Sequence, residues 1–192
     1  MPIQEMIAIK NSGDTEANLS LLMAMHCAPL LKKLAIANVL TLSKEEAEII
    51  RRLLKRTEIS CRILCKKADK VILYLYRKKE LQAYLQSEEI KNFLEGYGYS
   101  EEKMLERLAE RIAFYSDSQV EFPHEIGVFL GYPLPDVKSF IEHRGSNCIH
   151  IGYWKVYHNV QETIKLFERF DEERRLAVRE VVMGRAIWEI AV

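Results

Sequence analysis

The sequence predicts an α+β fold: a mostly helical single domain around a small sheet. Apolar residues recur at helical spacing through most of the chain, with capping residues at the starts of the segments. Only two stretches depart from this period, a β-hairpin at about 58–76 and a late strand at about 148–157. Strands so few and so clustered do not wind into βαβ units. A chain of 192 residues, with globular composition and no linker, repeat or low-complexity tract, reads as one domain over 1–192.

Asp14 caps a helix from Thr15 to Met25, and Pro29 interrupts it. Proline suits a first helical turn, so Cys27 and Ala28 lead into a new helix, Pro29 to Leu34. Ala37 to Leu42 reads as a short strand or as that helix's exit. Ser43-Lys-Glu-Glu46 is a capping box, followed at helical spacing by Ala47, Ile50, Leu53 and Leu54. From Glu58 the period becomes two, with Ile59, Cys61, Ile63 and Cys65 on one face. After a polar turn at 66–69, Val71 to Tyr76 is apolar on both faces, as a covered central strand is.

Helices resume at Lys78–Gln86, Ser87–Glu95 and Ser100–Tyr115, with Ser87 and Ser100 as caps. Pro123–Leu130 and Pro135–His143 are shorter, each stopped by a glycine, and Cys148 to Tyr157 is the late strand. Asn159 caps a terminal helix with Glu162 at the capping-box position, and Phe170-Asp171 bends it before Glu172 to Trp188.

Composition excludes several functions. Lys plus Arg equals Asp plus Glu at 28 each, so no global charge draws the chain to nucleic acid or a membrane surface. The longest uncharged apolar stretch, Leu21 to Leu31, is about half the span a bilayer needs. The first residues carry charge before any apolar run, the wrong order for a secretory signal. Cysteines 27, 61, 65 and 148 form no regular framework. The expectation is a soluble cytoplasmic protein with reduced thiols and no membrane partner.

Metal binding fails on spacing. Cys61 and Cys65 lie roughly 13 Å apart along a strand, too far for one zinc, and read as a core stripe. Cys148 and His150 share a strand face about 6.6 Å apart, but no second pair completes a tetrahedral site. Residues 51–80 hold eleven basic side chains against three acidic ones, a net of +8, with Tyr74 and Tyr76 interleaved. This segment can contact phosphates or an acidic partner, or be a solvated rim. Residues 124–143 resemble a helix-turn-helix, yet the second helix offers Asp136 and Glu142 and no Asn or Gln to read bases. Both features leave nucleic acid the weaker reading.

Two residues stand out for chemistry. If Pro29 opens a helix, the Cys27 thiol lies at a positive helix end beside His26, where a thiol becomes a nucleophile. Adjacent residues point about 100° apart, so the base comes from elsewhere, and His124 is the candidate. The plainer alternatives are a small core cysteine and a capping or core histidine. Glu125, in the same turn as His124, also suits a helix start. Gly152-Tyr-Trp-Lys-Val-Tyr157 places Tyr153, Lys155 and Tyr157 on one strand face, for a ligand or partner, opposite Trp154 and Val156.

His26-Cys-Ala-Pro29, the Phe122-Pro-His-Glu-Ile-Gly-Val-Phe-Leu-Gly-Tyr-Pro133 run, Asp136-Val with Phe140-Ile, and Gly152–Tyr157 resemble domain-of-unknown-function family 3793, uncharacterised proteins of anaerobic Gram-positive bacteria. The resemblance spans nearly the whole chain and is most specific over 122–157. It implies a single cytoplasmic domain, supplies no activity, and tilts the reading towards redox or iron metabolism. No cofactor is identified: Gly96-Tyr-Gly98 lacks the third glycine of a nucleotide fingerprint.

Cys27 and His124 are both in the resembling motifs. If they converge, Cys27 is the nucleophile or redox thiol, His124 its base, and Glu125 or a backbone carbonyl orients the ring, for acyl transfer, hydrolysis or thiol exchange. The alternative is a small-ligand or protein-binding module in which His26, His124 and the Tyr153–Tyr157 strand form a recognition surface without turnover.

Overall fold

The computed structural model describes residues 3–117 and 121–192. In chain order these form α1 (Ile3–Asn11), α2 (Thr15–Leu31), β1 (Ala37–Ser43), α3 (Lys44–Leu53), β2 (Ile59–Lys67), β3 (Lys70–Arg77), α4 (Lys78–Leu85), α5 (Glu88–Glu95) and α6 (Met104–Asp117). Then follow α7 (Ile126–Phe129), α8 (Leu134–Glu142), β4 (His150–Ile151), β5 (Lys155–Val156), α9 (Val160–Val182) and α10 (Ile187–Ile190). The α+β class and the hairpin stand as the sequence predicts.

β3 is the centre of an antiparallel sheet ordered β1-β3-β2, with Val39 opposite Tyr74 and Arg62 opposite the same residue on the other side. Its alternate side chains feed two cores, which is why it reads as apolar on both faces. Val71, Leu73 and Leu75 join Leu40 and Leu42 against α2, α3, α9 and α10. Ile72, Tyr74 and Tyr76 join Ala37 and Val39 against α4 to α8. The buried Tyr74 hydroxyl donates to the Phe129 carbonyl at 2.5 Å, tying the second core to α7.

Four expectations change. α2 runs unbroken through Pro29 to Leu31, so no helix starts at the proline. Pro29 forgoes only one backbone bond there, and nine residues of α2 are buried. The helix's last carbonyls are also occupied, since Arg77 donates from Nε to Leu30 and from Nη2 to Leu31, each at 3.0 Å. Second, the Cys61–Cys65 stripe is broken by a β-bulge between Ile63 and Cys65. Two residues then oppose one, so Cys61 faces the first core while Leu64 and Cys65 both face the second.

Third, the late strand is a miniature hairpin, β4 and β5, turning at Gly152–Trp154. A Cβ on Gly152 would stand 2.2 Å from the Phe167 ring, so only glycine lets this turn lie on α9. Fourth, α9 passes through Phe170-Asp171 without interruption, because Phe167, Phe170, Ala177 and Val178 bury one continuous stripe; the chain breaks instead at Gly184. α1, which no sequence signal announced, buries only Met6.

Among the caps, Asp14 accepts from the Ala17 N–H at 3.0 Å and the Ser43–Glu46 capping box is complete. Ser87, Ser100 and Asn159 occupy the expected positions without side-chain cap bonds.

Candidate functional site

Beyond the second core, between β1, the α7–α8 corner and the β4–β5 hairpin, lies a cavity of about 440 Å³. Its walls are apolar and aromatic: Val39, Phe122, Ile126, Leu130, Tyr132, Val137, Phe140 and Trp154, with His124, Asp136 and Lys155 as its ionisable side chains. This lies within the size range, about 300–1,000 Å³, of small-molecule sites.

Asp136 holds the cavity together. Its buried carboxylate accepts the Trp154 indole N–H at one oxygen, and the Tyr157 and His158 backbone N–H groups at the other, all at 2.9 Å. α8 is thereby stapled to the chain leaving β5. Trp154 is held on its other sides by Tyr132, stacked at 4.9 Å, and by Phe167, edge-on at 4.6 Å.

The His124 ring lies between Phe122 and Phe140, with centroids at 5.3 and 4.9 Å, and its nitrogens have no hydrogen-bond partner among the described residues. Lys155 donates to the Gly145 carbonyl at 2.7 Å, and its ammonium stands 5.7 Å from the centre of the Phe140 ring. No carboxylate among the described residues pairs with it within 4 Å. Phe140 thus carries an imidazole and a cation around one ring.

A second cavity, about 350 Å³, backs onto the first and shares Val39, Leu130, Tyr132 and Trp154 with it. Exposed His26 and half-buried Tyr153 line it with Asn38 and Arg174. The Tyr153 hydroxyl donates to Asp171 at 2.9 Å; burial, with that bond and the Asp171 charge, pushes it up to about 12.

The structure does not bring the candidate catalytic residues together. Cys27 is fully buried in the first core, whereas His124 stands beside the second, with the sheet between them. Because α2 is continuous, Cys27 has no helix N-terminus beside it. Burial, with Cys61 nearby, pushes its thiol up to about 12, the reverse of activation. Glu125 does not orient His124. Its carboxylate, 1% exposed, accepts from the Tyr99 hydroxyl at 2.9 Å and pairs with Arg111.

Nor do Tyr153, Lys155 and Tyr157 share a surface, because β5 is only two residues long. Tyr153 lines one cavity, Lys155 the other, and Tyr157 is buried beneath His143. The cavity residues that reasoning from spacing passed over are Asp136, Phe122, Phe140 and Tyr132. The signal for Asp136 was a carboxylate among apolar helix positions, where burial demands donors.

The basic segment is dispersed over several elements. Arg51, Arg52 and Arg62 pair with Glu48, Glu16 and Glu106, Arg56 lies over Trp188, and Arg77 is buried. The helix-turn-helix-like segment is a packing corner, since all four residues of α7 are buried. Among the described residues no group of three or more His, Cys, Asp or Glu is arranged to hold a metal, and no helix is long and apolar enough to cross a membrane.

Neither the curated proteins nor the solved structures gave a match. A family model described as "Protein of unknown function (DUF3793)" matches residues 23–191, a span that takes in the lining of both cavities. The chain belongs to that family of unknown function, DUF3793.

Proposed function

We propose that this protein is a non-enzymatic binding module for a small, largely apolar molecule held in the cavity of about 440 Å³. One observation carries the reading: Phe122, Tyr132, Phe140 and Trp154 converge around an open space instead of filling it. Interiors pack as densely as organic crystals, so aromatic side chains left facing a gap forgo dispersion contacts that a ligand would restore. The walls are rigid, because Trp154 is clamped by Asp136, Tyr132 and Phe167. A preformed site binds without a large ordering cost.

Titration calorimetry with 2-naphthamide, a flat neutral probe, tests this. Saturable one-to-one binding is expected, weakened about tenfold or more in Val39→Phe, where a ring enters the space. Absence of saturable binding by the amide and by the acid of the same shape, 2-naphthoate, alike, or binding indifferent to Val39→Phe in a folded variant, would overturn it.

A further inference from the structure

The polar groups of the cavity narrow its ligand. This inference rests on the binding reading and names the chemical class that the site selects. Three ionisable side chains line the space, and they are not equivalent. Asp136 has both oxygens engaged by three N–H donors, so its charge is compensated within the protein. Lys155 is not compensated in that way. Its partners are one carbonyl and the face of Phe140, both neutral, which leaves an ammonium with spare N–H donors in an apolar cavity. His124 adds a ring whose nitrogens have no hydrogen-bond partner among the described residues, against the same Phe140.

An unpaired cation half-buried among aromatic rings is costly unless an anion meets it. The site therefore selects for negative charge beside Phe140, where Lys155 and His124 both stand, and for a flat apolar body against its aromatic walls. The donor count distinguishes among anions. Phosphate dianions are commonly held by arginine forks or runs of backbone N–H groups, and no arginine lines this cavity. One ammonium and one imidazole suit a single carboxylate, accepting at each oxygen.

We infer that the ligand is an aromatic or similarly flat monocarboxylic acid, its carboxylate held by Lys155 and His124 around the Phe140 ring.

The test compares 2-naphthoate with 2-naphthamide, alike in shape and differing in charge, by titration calorimetry on the full chain. Naphthoate is expected to bind about tenfold or more tightly, as charge-assisted bonds do. In Lys155→Met the ratio of the two affinities should fall towards one, and in His124→Gln by about threefold. His124→Gln makes no new demand on the core, so it carries the test should Lys155→Met fail to fold. Equal affinities, or tighter binding of the amide, overturn the acid inference and leave the binding reading standing. A ratio unchanged in either folded variant overturns the assignment of the carboxylate to Lys155 and His124. No saturable binding of either probe overturns both.

Discussion

Asp136 and Trp154, both lining one cavity, are joined by an indole N–H donated to a carboxylate oxygen across 2.9 Å. The other oxygen takes two backbone N–H groups just past β5. A short helix and a two-residue strand pair, neither stable alone, are thus fastened by one side chain. Asp136→Asn keeps the shape but replaces one acceptor oxygen with a donor. It should cost about 2 kcal/mol in urea unfolding and release the indole, read as a loss of near-ultraviolet dichroism from Trp154.

Cys27 should resist iodoacetamide in the native protein at pH 8 and react promptly in urea. Its folded value, about 12, lies above that of an ordinary thiol, so between the two the folded state binds the extra proton. The stability this represents is complete below about pH 9 and is lost as pH rises towards 12. Unfolding free energy should fall by on the order of 1 kcal/mol per pH unit in that window, and Cys27→Ala should flatten the fall. Rapid alkylation of native Cys27 at pH 8 would contradict its burial.

Gly152→Ala should destabilise by about 2 kcal/mol, because its Cβ meets the Phe167 ring rather than the end of a flexible chain. The displaced turn carries Tyr153 and Trp154 with it, so 2-naphthamide binding should weaken alongside stability. A fully stable Gly152→Ala protein would mean that the hairpin does not rest on α9.

Glu125→Gln separates a structural carboxylate from one that serves the cavity. Arg111 and Tyr99 lose their acceptor charge, and thermal unfolding should register about 2 kcal/mol, below the full effect of a buried pair because Arg111 is partly exposed. Affinity for 2-naphthoate should be unchanged, since Glu125 does not line the cavity. A large loss of affinity in a folded variant would restore a link from Glu125 to His124.

Local periodicity made the hairpin, the central strand and the α3 capping box legible, because each is written in neighbouring residues. The features that changed depend on distant ones. Pro29 reads as a helix start until Arg77, 48 positions on, is seen to bind the carbonyls at the helix end. The bulge at Cys65 inserts one residue into a regular alternation that gives no sign of it. The candidate site was half legible: Lys155 and His124 were singled out, but their meeting around Phe140 depends on how α8 packs against the late hairpin. Cys27 was chosen for a helix end that does not form, because α2 continues through Pro29.

Arg77 also bears on the order of events as the protein forms. Its side chain reaches backbone carbonyls 46, 47 and 115 positions away, the last being that of Val192. Until those segments arrive, a guanidinium that ends 1% exposed has no reason to leave water. The clasp is complete only when β3, α2 and residue 192 have all met, so a nascent chain cannot close it before residue 192 has left the ribosome. Interactions made after the transition state slow unfolding without hastening folding. Contacts that join segments so far apart in sequence are expected to be among these, so Arg77→Met should raise the unfolding rate more than it lowers the refolding rate, and equal changes in both would place the clasp in the transition state.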